Sequence, residues 1–277
     1  MSILTTHTTA SRDSHSIGLC KFNTTSKAIE VSDGTNWLVY NYDQAVSWPG
    51  SSTYSVSLDG SNDYVSVGNY SEYNFGSGGT DSAFSISAWI NMTDATDFIV
   101  VSKDEGRLPR QYSIRFVSDK IHFYLLGGGY IGRLYNTAIT SDQGSWIHVG
   151  FTYDGSKSDT GIKIYRNGTR VDDTNYSGGS YAGMSNTAAS FNIGRSGGIY
   201  SNGYIDEVAI FGSELSSTDM GNIYNSGTPA SLASYNPISW WSMGDQTGGQ
   251  GTTAYDIQGL HNGSLLNGAF FDSISPP

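Results

Sequence analysis

The sequence predicts an all-β protein, an antiparallel β-sandwich preceded by a small N-terminal β-meander. Three observations lead there. Short segments that alternate apolar and polar residues recur at steady intervals from residue 54 onward. The 277 residues include 35 Gly and 19 Tyr but only 14% charged side chains, a profile of turn-rich β-structure. A single short segment carries helical periodicity.

Residues 1–18 are polar and aperiodic and read as an extended arm. Three strands follow, LCKFN, AIEVS and WLVYN, separated by TTSK and DGTN, with Asp33-Gly34 suited to a tight turn. Such a meander is too small to cover its own apolar face and needs a partner surface. DQAVSWPGSS reads as a linker, its Trp-Pro-Gly resisting regular structure. In FSISAWINM, the residues Phe84, Ile86, Ala88, Ile90 and Met92 share one face and Trp89 lies on the other. DFIVVSK, QYSIRFVS, KIHFYLL and WIHVGFTY continue the series, His148 reading as a hydrogen-bonded core histidine. GIKIYRNGTRV is a hairpin, with Asn167-Gly168 fitting the positive φ angles of a type I′ turn. FNIGR and YIDEVAIF complete the strands. The one helix is ELSSTDMGNIYNSG: Ser216 caps it, Asp219 closes a capping box, and Met220, Ile223 and Tyr224 form the apolar stripe.

Composition excludes several function classes. The charge is 14 minus 25, or −11, with no basic run, which argues against nucleic-acid binding. No apolar run approaches a membrane span. One cysteine, Cys20, permits no intrachain disulfide and reads as a small buried hydrophobe. The start, MSILTTHTTASRDSHS, has neither a basic region nor an apolar core, so the expectation is a protein folded in a cytosol.

In order along the chain, LDGSNDYVSV, FSISAWI, IVVSK, YSIRF, GSWIHVGFTYDGS, IKIYRNGTRV, FNIGR and NGYIDEVAIFGSELSS resemble the laminin G-like, concanavalin A-like jelly-roll family. The resemblance implies two curved antiparallel sheets and a binding function toward carbohydrates or proteins, often with calcium. ISWWSMGD and AYDIQGLHNGSLLNGAFF resemble the segment that precedes LDG-x-x-DYV in that family, yet come last here. Either they close the same sandwich in permuted order, which is favoured, or they pair with a neighbouring copy. Residues 1–45 therefore read as arm and meander, and 46–277 as sandwich, with 238–271 supplying closing strands. Phe22-Asn23-Thr24, Ile29-Glu30, Asp33-Gly34-Thr35 and Trp37 are similar to short modules of tailed-bacteriophage structural proteins, fibres or head decorations. That resemblance implies a virion surface protein assembled in a host cytoplasm, a homo-oligomer with a trimer favoured, anchored to other virion proteins through Phe22, Ile29, Val31, Trp37 and Val39. A free bacterial carbohydrate-binding module or adhesin is the alternative.

Two sets of side chains stand out as candidate sites. Asp206 lies, by strict alternation, on the face of Val208 and Ile210, and a buried carboxylate must be paired, hydrogen-bonded or on a metal. The resemblance implies calcium, with Asp59 and Asp63 as further oxygen ligands; backbone hydrogen bonding is the other reading. The Gly/Tyr-rich loops carry Tyr130, Arg133, Tyr135, Tyr176, Tyr181, Arg195 and Tyr200, residue types used at binding surfaces. Surface glycans could stack on these rings, or the rings pack the rim of the sandwich. Catalysis is not expected: Asp206 and Glu207 point to opposite faces, and the five histidines lack metal-ligand spacing.

Overall fold

The structure is a computed structural model that describes residues 5–7, 20–23, 28–32, 37–40 and 50–277, apart from 107–109; before residue 50 it describes the backbone of the strands. The chain divides into two compact units, Met1–Ser47 and Trp48–Pro277.

The first unit is a four-stranded sheet of β1 (Thr5–His7), β2 (Cys20–Asn23), β3 (Ala28–Ser32) and β4 (Trp37–Tyr40), in that order. β2, β3 and β4 pair antiparallel, Phe22 opposite Ile29 and Val31 opposite Leu38. β1 runs parallel to β2, Thr5 opposite Lys21. β1 falls within the stretch that the sequence predicts to be an extended, aperiodic arm. A strand of three residues is too short to show a period, and its parallel return needs a connection of about a dozen residues that hides the pairing. The turn residues Asp33-Gly34 and most of the linker lie outside the described residues.

The second unit begins with β5 (Ser55–Asp59), β6 (Tyr64–Gly68), β7 (Phe84–Met92), β8 (Asp97–Asp104), β9 (Arg110–Val117), β10 (Lys120–Leu126) and β11 (Tyr130–Tyr135). It continues through β12 (Trp146–Tyr153), β13 (Ile162–Arg166), β14 (Thr169–Arg170), β15 (Thr174–Asn175), β16 (Phe191–Ile193), the small hairpin β17 (Arg195–Ser196) and β18 (Ile199–Tyr200), and β19 (Asn202–Phe211). Helix α1 (Ser217–Tyr224) then leads to β20 (Ser239–Trp241), β21 (Thr253–Ala254), β22 (Gly263–Leu266) and β23 (Phe270–Asp272).

Two antiparallel sheets face each other. One runs β15-β11-β10-β9-β8-β16-β6-β22-β21, and the other β14-β13-β12-β7-β19-β5-β23, with β20 on β19. This is the sandwich that the alternation predicts. Phe84, Ile86, Ala88, Ile90 and Met92 are all fully buried between the sheets, where Phe84 stacks on Phe75 at 4.3 Å and meets Phe123 edge-on. Asn167 and Gly168 have φ of 50° and 73°, as the hairpin requires.

The outer face of the β7-containing sheet is covered as well. Helix α1 lays Met220 and Ile223 on Tyr165, Ala209, Phe211 and Trp240, a second apolar cluster. Its capping box is formed: the Ser216 hydroxyl accepts from the Asp219 N–H at 3.1 Å, and Asp219 accepts from the Ser216 N–H at 2.9 Å. A cap of this kind is worth about 1 kcal/mol. Among the described residues no helix is long and apolar enough to cross a membrane.

The C-terminal segment joins both sheets of its own chain. Leu265 pairs with Val65, Phe271 with Val56, and Ser239 with Ile210. Trp240, Trp241, Met243 and Leu265 are buried, whereas Phe270 is 52% exposed and its neighbour Phe271 fills the core.

Candidate functional site

The outer face of the nine-stranded sheet carries a groove. Neighbouring strands bring Ser102, Ser113, Tyr124 and Gly132 into one row across β8, β9, β10 and β11. Beside it Arg115 stands opposite His122, and Leu126 opposite Tyr130. Tyr176 is brought over the row by backbone bonds: its N–H donates to the Gly132 carbonyl at 2.9 Å, while Tyr130 and Gly178 exchange N–H···O bonds at 2.8 and 3.0 Å. Glycine at 132 permits this. A Cβ there would lie 2.8 Å from Cβ of Tyr124 and 3.0 Å from the Tyr176 carbonyl oxygen.

The result is a groove of about 190 Å³ lined by Arg110, Arg115, Tyr124, Leu126, Tyr130 and Tyr176. The Tyr130 and Tyr176 rings lie 5.2 Å apart, His122 meets Tyr176 edge-on at 5.3 Å, and the Arg115 guanidinium sits 5.2 Å from the Tyr124 ring centroid. Arg110 is held by Asp104, Nε to Oδ1 at 3.0 Å. Four buried polar atoms of this row and its neighbours have no hydrogen-bond partner: the Tyr124 and Ser113 hydroxyls, Arg115 Nε and Asp104 Oδ2. Ser113 is near enough to temper the Tyr124 pKa, which burial pushes up, but the two oxygens do not reach hydrogen-bond geometry. Each such group costs about 1–3 kcal/mol unless something bonds it.

Of the loop residues picked out by the sequence, only Tyr130 and Tyr176 meet here. Arg133 is committed to Asp172, at 2.8 Å, and to Asn175. Tyr135 packs against the core. Tyr181 donates to Asp81 Oδ2 at 2.6 Å, beside Tyr153 at 2.8 Å. Arg195 forms a separate group, 4.8 Å from the Tyr64 ring and 5.9 Å from Tyr200, paired with Glu105. These seven residues are therefore not one surface. Sequence reasoning missed Arg110, Arg115 and Tyr124. QYSIRFVS carries a partial signal, since Arg115 breaks its apolar phase and so marks the outer face; KIHFYLL carries none, with large residues on both faces and His122 and Tyr124 both buried.

The three acids proposed as calcium ligands are not brought together. Asp59 accepts from the Ser61 N–H at 2.8 Å, which holds its pKa down, in the turn before β6. Asp63 is buried nearby with Oδ1 unpartnered; burial, then the Asp59 charge, raise its pKa. Asp206 lies elsewhere. Asp59 pairs with Asn202, and Asp206 is four residues further along β19, about 13 Å away. Its Oδ2 accepts from the Ser52 hydroxyl at 2.5 Å, and burial first and Glu207 second push its pKa far up. A carboxyl that keeps its proton is a poor cation ligand. Among the described residues no three His, Cys, Asp or Glu side chains are grouped to hold a metal, so the residues present do not fit a calcium site built from this trio.

Strict alternation also misplaces Asp206. The β7–β19 register shifts between Asp206 and Ala209, with Glu207 at φ 49°. Ile205, Val208 and Ile210 face the core, and Asp206 faces outward opposite Trp89. His148 is fully buried on that outer face, its Nε2 2.9 Å from the Ser87 hydroxyl and its pKa lowered by burial to about 3. The proposed anchor residues Phe22, Ile29, Val31, Trp37 and Val39 lie on β2, β3 and β4, and their side chains are outside the described residues.

A family model described as the concanavalin A-like lectin/glucanases superfamily matches residues 59–220. A solved structure from Bacteroides ovatus, of a protein named for carbohydrate binding, superposes with a TM-score of 0.59 at 21% identity, covering 82% of this chain and 62% of that one. This chain thus spans less than two thirds of that protein. Domains LG4-5 of the mouse laminin α1 chain match with a TM-score of 0.41 at 12% identity, covering 57% of this chain and 41% of that one. Domain 4 of an extracellular arabinanase of Geobacillus stearothermophilus, in complex with arabinotriose, gives 0.41 at 16% identity, covering 62% and 87%. A search of curated protein sequences finds no match.

Proposed function

The chain belongs to the concanavalin A-like lectin/glucanase superfamily, and from that membership we propose that its sandwich is a non-catalytic, glycan-binding domain. One observation carries the reading: the Tyr130 and Tyr176 rings line one groove with Tyr124, whose buried hydroxyl has no hydrogen-bond partner, nor has that of Ser113 opposite it on β9. A pyranose ring has an apolar face to stack on tyrosine and a rim of hydroxyls to supply the missing partners. At about 190 Å³ the groove is smaller than the ~300–1,000 Å³ of enclosed small-molecule pockets, so it takes one sugar unit of a chain that continues over the surface. Glycoside hydrolysis generally needs two flanking carboxylates, and none of the six lining residues is an acid. The test is a glycan array probed with the full chain. Tyr130→Ala and Tyr176→Ala are each expected to weaken binding at least tenfold with the unfolding midpoint held within a few degrees. Binding to no glycan, or binding indifferent to both changes, would overturn the reading.

The setting we propose is the surface of a bacteriophage particle, as a head decoration or short fibre assembled in the host cytoplasm. Support comes from the resemblance of residues 22–37 to phage structural modules, and from the N-terminal sheet being a compact unit of its own. In that setting the sheet holds copies together on other virion proteins and the sandwich meets surface glycans.

A further inference from the structure

We infer that the groove selects a sugar bearing a carboxylate, with Arg115 as the residue that reads the charge; this rests on the glycan-binding reading above. Six arginines are described, and five are ion-paired: Arg110 with Asp104, Arg133 and Arg170 with Asp172, Arg166 with Asp142, and Arg195 with Glu105. Arg115 has no carboxylate among the described residues, and its Nε has no hydrogen-bond partner. In a chain of net charge −11, with acids in excess of bases, an arginine without a counter-charge is the exception.

The charges around it leave the groove positive. Asp104 is offset by Arg110 at 3.0 Å, so Arg115 contributes the uncompensated charge. His122, opposite Arg115 on the neighbouring strand, adds none at neutral pH, since burial, then Arg115 and Lys120, lower its pKa to about 4. The guanidinium lies over the Tyr124 ring, which pre-orders its planar fork at the groove wall. A carboxylate matches that fork with two parallel N–H···O bonds, whereas a neutral sugar hydroxyl leaves most of it unused. A carboxylate bound there also offers Nε the acceptor it lacks, and the sugar's own hydroxyls are partners for those of Tyr124 and Ser113. The unpaired cation and the unpaired hydroxyls are thus accounted for by one ligand, an acidic sugar unit within a polysaccharide.

The experiment uses the full chain with polygalacturonate, alginate and hyaluronan, each against its carboxyl-reduced form, in a binding assay at low and at moderate salt. At least one acidic form is expected to bind tenfold or more tighter than its reduced partner, with the difference shrinking as salt rises. Arg115→Gln is expected to bring that ratio close to one, and Arg115→Lys to keep part of it. The ratio measured on the parent chain is a test in itself if Arg115→Gln fails to fold. Equal binding of acidic and reduced forms, with glycan binding intact, overturns the charge selectivity alone. A ratio that persists in Arg115→Gln overturns the role of Arg115. If neither these polysaccharides nor any glycan on the array binds, the glycan reading falls and takes this inference with it.

Discussion

Asp206 stands opposite Trp89 across the ladder between β7 and β19, so its carboxyl is buried on the outer face of the sheet and not between the sheets. The bulge at Glu207 makes the difference. It adds a residue at positive φ, so that Ile205 and Val208 both face the core with two acids between them. Asp206 is left with the Ser52 hydroxyl on one oxygen and none on the other, next to the Glu207 carboxyl.

Asp206→Asn is expected to stabilise the protein at neutral pH. The folded pKa is raised above the unfolded value, so the folded state binds the extra proton and stability falls as pH rises above about 4. Asparagine keeps an acceptor for Ser52 and never ionises. The unfolding midpoint of the variant should match the parent at pH 4 and exceed it by several degrees at pH 7. A gap that stays constant with pH would mean that Asp206 is not the group whose protonation tracks folding.

His148 works in the opposite sense. Its folded pKa of about 3 lies below the usual histidine value, so its contribution is intact above pH 6.5 and is lost as pH falls. Between pH 6.5 and 5 this one group should supply a slope approaching 1.4 kcal/mol per pH unit. His148→Gln should remove that component from denaturant-melt stabilities over the window. An unchanged slope would mean that the imidazole takes up its proton inside the fold.

The sandwich was legible where local signals agree: alternation in 84–92, the Asn167-Gly168 turn, and the Ser216–Asp219 cap each name one structure. The face of Asp206 was not, because a bulge leaves no mark on a string of apolar residues around two acids. The groove was half legible. Tyrosine-rich loops flagged Tyr130 and Tyr176, but their meeting depends on loop 176–178 bridging to β11, a non-local pairing. Tyr124 sits in KIHFYLL, where residues on both faces are large, so alternation alone does not mark which ring points out. Arg115 is conspicuous only once every other described arginine has been given its partner.

The closing strands offer a sharp comparison between adjacent residues. Phe271 is 7% exposed and Phe270 52% exposed on the same short strand β23. Phe271→Ala should cost about 3–5 kcal/mol in an equilibrium melt. Phe270→Ala should change stability by no more than about 0.5 kcal/mol. Equal effects would mean that β23 does not hold this register against β5.

Deleting residues 1–45 tests the proposed role of the N-terminal sheet. The sheet has four short strands and is a compact unit in itself. Sheets of this size bury too little apolar surface to be stable alone, which argues for a partner such as another copy or a particle. The full chain is expected to sediment as an oligomer, with three copies favoured, and the truncated chain as a folded monomer. Glycan affinity per site should be unchanged, but binding to a dense glycan surface should weaken by about 10²-fold or more, because linked sites raise effective concentration. Analytical ultracentrifugation of both chains, together with surface binding at low and high glycan density, reads both quantities. A full chain that is already monomeric, or a truncated chain that keeps its oligomeric mass, would remove the N-terminal sheet as the element that joins copies and would favour a free carbohydrate-binding module.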